Sequence, residues 1–179
     1  MTEQAINYGD ALYELCLSEG LTGKVLRDLS DVTEIFDGTP DYYLLLSEPS
    51  LPKAERCGLL DKAFRGNVQQ YTLNLLKILT ERGIIRELKD CALRFRERYN
   101  EDNGIAEVTV SSASPLSERQ QEALLEKLQD ITGKQISMRL TTDPALIGGI
   151  RLTMNNREFD GTVQGRLKTL SRILRETTL

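Results

Sequence analysis

The sequence predicts an α+β protein: an N-terminal six-helix bundle over residues 1–103, then a small β-α-β-β-β-α domain over 104–179. Three observations predict it. Apolar residues recur at helical spacing up to Asn103, with Gly and Pro as punctuation. After Gly104 the spacing switches to alternation. Two runs dense in Gly and Asp, Asp143–Ile150 and Asp160–Leu167, flank one extended segment.

The helices follow in order. Ala5–Glu19 is the first, and Gly20–Gly23 breaks it. Lys24–Phe36 is the second, closed by the turn Asp37-Gly38-Thr39-Pro40. Asp41–Ser47 is short. A fourth helix starts around Ser50–Glu55, with Pro52 in its first turn, where a missing N–H costs nothing, and ends near Arg65-Gly66-Asn67. Val68–Glu81 is the fifth. Gly83 separates it from a sixth, Ile84–Asn100. Beyond Gly104, Ala106–Ser111 alternates as a half-buried strand. Ser117-Glu118-Arg119-Gln120 is a capping box opening a helix to Thr132. Gln135–Leu140 alternates again. Ile150–Met154 and Arg157–Phe159 flank Asn155-Asn156, a pair that tolerates the positive φ of a hairpin turn. A last helix spans Thr162–Arg175, burying Val163, Leu167, Leu170 and Leu174 and showing Lys168, Arg172 and Arg175; that basic end is either a solvated face or a docking surface for an acidic partner.

Composition narrows the function. The chain has 179 residues, 40% hydrophobic and 28% charged, with net charge −4. Up to Asn103 there are 13 basic against 18 acidic residues, and from Gly104 10 against 9. A nucleic-acid binder normally carries a basic excess, so none is expected as partner. There is no histidine, the commonest general base and metal ligand. Cys16, Cys57 and Cys91 form no C-x-x-C pair, and Cys16 and Cys91 lie on apolar helix faces as reduced, buried thiols. The opening Met1-Thr2-Glu3-Gln4 has no basic, apolar or cleavage region, so no signal or transit peptide is expected, and no apolar run reaches the length of a membrane span.

No catalytic constellation emerges. Gly148-Gly149 lacks the spacing of a phosphate loop. Asp143, Gly148, Gly149, Asp160 and Gly161 read as turn-forming residues, the two aspartates in preference to a general acid–base pair. Ser111-Ser112-Ala113-Ser114 has no base to activate it. No enzyme activity and no cofactor or metal are expected.

The clearest physical signal is in helices one and five. On the first, Asn7, Asp10, Glu14 and Ser18 make one narrow polar strip, and apolar or small residues take most of the remaining circumference. On the fifth, Val68, Tyr71, Leu73, Leu75, Leu76, Ile78 and Leu79 spread over more than half of it. The sixth shows a single stripe: Ile84, Ile85, Leu88, Cys91, Ala92, Phe95 and Tyr99. Two readings stand. Helices one and five are central and buried on most sides, or they also form an apolar groove for a partner's amphipathic helix, with Gly9 and Ala11 permitting close approach and Tyr8 supplying contact area.

These residues resemble the delta subunit of bacterial F-type ATP synthase, known as OSCP in mitochondria. The resemblance rests on Tyr8-Gly9-Asp10-Ala11-Leu12-Tyr13, Asn74-Leu75-Leu76-Lys77-Ile78-Leu79, Val108–Ala113 with Pro115-Leu116-Ser117, and the two Gly/Asp runs. It covers the chain in order, and its second-domain motifs are the specific part. Arg82-Gly83-Ile84-Ile85-Arg86 departs from the family, which more often has Asn-Gly-Arg or Arg-Gly-Arg. The resemblance implies a non-catalytic stator connector, peripheral on the cytoplasmic face of the membrane and held there by partner subunits. Its N-terminal domain would grip the N-terminal helix of an alpha subunit, and its C-terminal domain would meet the b-subunit stalk. The implied groove contacts are Tyr8, Ala11, Leu12, Leu15, Asn74, Leu75, Ile78 and Leu79. The rivals are an RNA-binding helical adaptor of the antitermination type, against which the net negative N-terminal half speaks, and a small hydrolase with an unrecognised site.

Overall fold

The computed structural model describes residues 1–154 and 157–161. Contacts divide the chain into two compact units, Met1–Tyr99 and one that begins at Asn100.

The first unit is built from α1 (Glu3–Ser18), α2 (Thr22–Gly38), α3 (Pro40–Ser47), α4 (Lys53–Phe64), α5 (Gln70–Glu81), a single 3₁₀ turn (Ile85–Glu87) and α6 (Leu88–Asp102), whose last residues pass the division. All six helices feed one core, with Tyr13, Phe36, Leu46, Leu60, Leu76 and Phe95 among its fully buried side chains. Tyr13 meets Phe95 edge-on, ring centres 5.2 Å apart. Phe36 meets Tyr42, Tyr43 and Phe64. Cys16 and Cys91 are buried free thiols, and burial pushes them up to about 11 and about 12. They stay protonated and serve as packing.

Helix ends follow local chemistry. Thr2 Oγ1 caps α1 by accepting from Ala5 N at 3.1 Å. Both α1 and α5 end in a Schellman motif. Gly20 (φ 65°) and Gly83 (φ 73°) take the left-handed position. Leu21 N donates to Cys16 O and Gly20 N to Leu17 O; Ile84 N donates to Leu79 O and Gly83 N to Thr80 O. The second motif explains a departure from the predicted helix at Ile84. The chain leaves Gly83 in a new direction and makes a 3₁₀ turn that buries Ile85 before α6 begins. Pro52 stands one position outside α4 as its N-cap (φ −55°, ψ 142°) rather than in the first turn, and its carbonyl accepts from Glu55 N and Arg56 N.

The fifth helix starts two residues later than the pattern of Val68–Glu81 suggests, and the reason is tertiary. No side chain of its own caps it. Asp28, on α2, accepts from Gln69 N at 2.5 Å and from Thr72 Oγ1 at 3.2 Å. A carboxylate at a helix N-terminus satisfies a free amide and complements the dipole. Only the fold brings it there.

One close crossing sets the position of α1. A Cβ on Gly9 would lie 2.7 Å from Arg94 Cβ and 2.9 Å from the Cys91 carbonyl oxygen. The backbone of α1 therefore lies directly on α6, and glycine is the residue that permits it. Beside the crossing Asp10 accepts from Arg94 Nε at 2.7 Å and from Arg98 Nη1 at 3.3 Å. The Arg98 guanidinium also sits 5.3 Å from the Tyr13 ring centre. This corrects the expectation that Gly9 admits a guest helix: α6 already fills that approach.

The second unit runs β1 (Ile105–Ser112), α7 (Glu118–Thr132), β2 (Gln135–Thr142), β3 (Ile150–Met154) and β4 (Arg157–Asp160). The sheet order is β2-β1-β3-β4. β1 pairs parallel with β2 and antiparallel with β3, and β3 pairs antiparallel with β4. A parallel neighbour requires a crossover, which α7 supplies. Its capping box forms as expected: Ser117 Oγ accepts from Gln120 N, and Gln120 Oε1 accepts from Ser117 N. Val108, Val110 and, from α7, Leu128 form the core; Val108 pairs with Met138 and Met154, and Val110 with Leu140 and Leu152, across the sheet. The expected closing helix, Thr162–Arg175, and the turn Asn155-Asn156 lie outside the described residues.

Two glycines test the crossing. Gly9→Ala should destabilise the protein by about 1–3 kcal/mol, because the methyl group meets backbone as well as side chain. Gly58→Ala, inside α4 with open space around it, should stabilise by up to about 1 kcal/mol. Urea unfolding midpoints moving in the same direction for both variants would contradict the crossing.

Candidate helix-binding surface

The surface of interest forms where α1 and α5 pack on one another. Helix α1 buries Ala5, Gly9, Leu12, Tyr13 and Cys16, spaced as one helical face. At 100° per residue, Tyr8, Ala11 and Leu15 fall together on one flank of that face and Leu17 on the other. Ala11 is exposed, Tyr8 half-buried against the core, and Leu15 is 53% exposed. Helix α5 buries Thr72, Leu73, Leu75, Leu76, Leu79 and Thr80. Asn74 and Ile78 lie one turn apart on its outside, and Ile78 is 41% exposed. Asn74 Oδ1 accepts from Gln70 Nε2 at 2.8 Å.

The eight groove residues expected from sequence thus divide. Ala11, Leu15, Asn74 and Ile78 face solvent, Tyr8 lies at the margin, and Leu12, Leu75 and Leu79 belong to the core at 6%, 4% and 0% exposure. Helical spacing alone does not separate the two sets, since both faces of each helix are apolar. The core residues hold the two helices together, and the exposed ones face solvent. Sequence reasoning missed Asp28, which fixes the start of α5 and so the rotation at which Asn74 and Ile78 are presented. No local signal points to it, because the aspartate lies 41 residues from the amide it caps.

In the second unit the glycine-rich run behaves as turn chemistry. Asp143 Oδ1 accepts from Ala145 N at 3.0 Å, and its carbonyl accepts from Leu146 N at 3.1 Å. Gly148 and Gly149 take φ of 65° and 82°. Gly161 allows close approach: its N–H donates to Ile150 O at 3.0 Å, and a Cβ there would lie 3.1 Å from that oxygen. Asp160 departs from expectation. It closes β4 opposite Arg151 and is a strand residue, because the β3–β4 ladder runs one residue further than the alternation through Phe159 implies.

Exposed apolar side chains stand on two abutting helices, in a helical unit followed by a small mixed-sheet unit, and no catalytic cluster accompanies them among the described residues. The particular family follows from comparison with known proteins. The family model described as ATP synthase delta (OSCP) subunit matches residues 5–174. The ATP synthase subunit delta of Shouchella clausii is 32% identical over 97% of this chain and 98% of its own length. The chloroplastic subunit delta of Emiliania huxleyi is 31% identical over 95% of both chains. A chain in the cryo-EM structure of the Toxoplasma gondii mitochondrial ATP synthase hexamer shares the fold, with TM-score 0.75 at 23% identity over 97% of this chain and 98% of that one. This chain belongs to the ATP synthase delta (OSCP) subunit family. It is a structural, non-catalytic subunit with a linking role in the stator, and the RNA-adaptor alternative finds no support. Among the described residues no helix is long and apolar enough to cross a membrane.

Neighbouring positions on α5 separate core from surface. Leu79→Ala should cost about 2–5 kcal/mol, a cavity in the core. Ile78→Ala, one residue earlier, should change stability by no more than about 0.5–1 kcal/mol. Equal losses in chemical unfolding would show that the outer face of α5 is core as well.

Proposed function

We propose that residues 1–103 hold the catalytic head by binding the N-terminal helix of an alpha subunit across the outer faces of α1 and α5. Residues 104–179 meet the b-subunit peripheral stalk, and the whole chain sits on the cytoplasmic face of the membrane through these partners. The observation that supports this reading most is the exposure of Leu15 and Ile78, 53% and 41%, on the outer faces of two helices that pack on one another. Covering each would stabilise a complex by about 1 kcal/mol or more, given the part still open to water. Ala11, small and exposed beside Leu15, permits a guest helix to come close.

The chemistry asked of such a connector is mechanical. It forms no covalent bond and moves no proton. It must resist torque between head and stalk, which requires rigid elements and two attachment points. Helices capped by Thr2 and Asp28 and ended by glycine motifs supply rigidity in the first unit. The b-stalk assignment rests on family membership and on the second unit's separateness.

A peptide copying the alpha-subunit N-terminus should bind the full chain. Ala11→Asp and Leu15→Asp should each weaken it at least about tenfold by placing a carboxylate in a desolvated contact. Both positions are exposed, so the variants should melt with the parent protein. Unchanged affinity in isothermal titration calorimetry, with intact helicity, would place the head contact elsewhere.

A further inference from the structure

A second surface lies around α3, apart from the residues of the head contact. This helix packs against the 3₁₀ turn, and beside it opens a cavity of about 370 Å³ lined by Pro40, Tyr43, Leu44, Arg86 and Lys89. Its floor is apolar, and Leu44 is 56% exposed, with nothing among the described residues covering it. Two cations stand on one rim. Lys89 pairs with Asp37. Arg86 is exposed and has no hydrogen bond or ion pair among the described residues. Tyr43 presents a further unmet requirement: its hydroxyl is out of contact with water and has no hydrogen-bond partner. A buried donor without an acceptor is costly to keep.

We infer that this cavity binds a small aromatic monocarboxylate, its ring against Pro40, Tyr43 and Leu44 and its carboxylate on Arg86. Charge selects the ligand. Asp37 cancels one of the two cations, so the rim carries one net positive charge, which a monoanion neutralises. The planar guanidinium takes a carboxylate through two parallel N–H donors. Shape selects the body: the volume suits a ring system of drug-fragment size, and an aromatic wall favours a flat face. Burial, with Asp37 nearby adding to it, pushes the Tyr43 phenol up to about 12, so the ring stays neutral beside the bound anion. This site is independent of the alpha-helix contact.

The test uses the full chain and three probes, followed by calorimetry and by amide chemical-shift changes: 2-naphthoate, its neutral analogue 2-naphthalenemethanol, and the peptide acetyl-Leu-Glu-Leu-amide. Saturable 2-naphthoate binding is expected, with shifts centred on residues 40–44 and 86–89. The alcohol and the peptide should each bind at least about tenfold more weakly, and Arg86→Glu should weaken 2-naphthoate by at least about tenfold, as loss of a charge-assisted contact implies. Arg86 is exposed, so that variant should fold; Leu44→Glu supplies a second exposed change expected to abolish binding. Any of three results overturns the proposal: no saturable binding of 2-naphthoate, equal affinity for the neutral alcohol, or preference for the peptide.

Discussion

The position of α1 depends on one absence, the missing side chain at Gly9. Because the α1 backbone rests on Cys91 and Arg94 of α6, α1 is held at a fixed depth and rotation. Asp10, the next residue, is then in reach of both Arg94 and Arg98, and Tyr13 one turn on meets Phe95. These contacts lie on the same side of α1 and reinforce one another. Steric approach decides the geometry. The ion pairs, a quarter exposed to solvent, add modest stability by comparison. With that side and the core face committed, the flank carrying Ala11 and Leu15 remains exposed. The apolar breadth of α1 thus has three uses in one helix: a crossing, a core face and an exposed flank.

The companion helix is fixed by a different device. α5 has no cap of its own, and Asp28 from α2 provides one. The rotation of each helix decides which residues it exposes, since a turn of one residue would exchange Ile78 for Leu79 at the surface. Here one helix is set by a glycine contact and the other by a borrowed carboxylate. Neither device touches the exposed side chains, so changes at the surface and changes in the scaffold are separable.

Local chemistry was readable in the sequence where it acts locally. Glycines at Gly20 and Gly83, the capping box at Ser117 and the alternation of Val108 and Val110 each specify their own element, and the structure shows each of them. The same holds for the α6 stripe, in which Leu88, Cys91 and Phe95 are buried. What escaped depends on contacts between distant residues. Gly9 reads equally as room for a guest or for a neighbour, and only the placement of Arg94 decides. Val68 carries the apolar pattern of α5, yet the helix begins at Gln70, because Asp28 takes the amide of Gln69. Leu12 and Leu15 are both apolar and nearly one turn apart, and packing against α5 and the core makes one of them interior. The apolar exposure beside α3 carries no sequence signature, since Tyr43 and Leu44 look like core until their neighbours are known.

A connector that resists torque must hold at both ends, so its two halves should fail in different ways. Cutting after Asn103 leaves α6 whole and removes the mixed-sheet unit. The decisive measurement is proton pumping relative to ATP hydrolysis in ATP synthase reconstituted into vesicles with residues 1–103 in place of the full chain. The account predicts that the fragment still binds the head, that hydrolysis continues and that pumping falls to a small fraction of the intact level. Full pumping with the fragment would contradict it, because the stalk would then be held without residues 104–179.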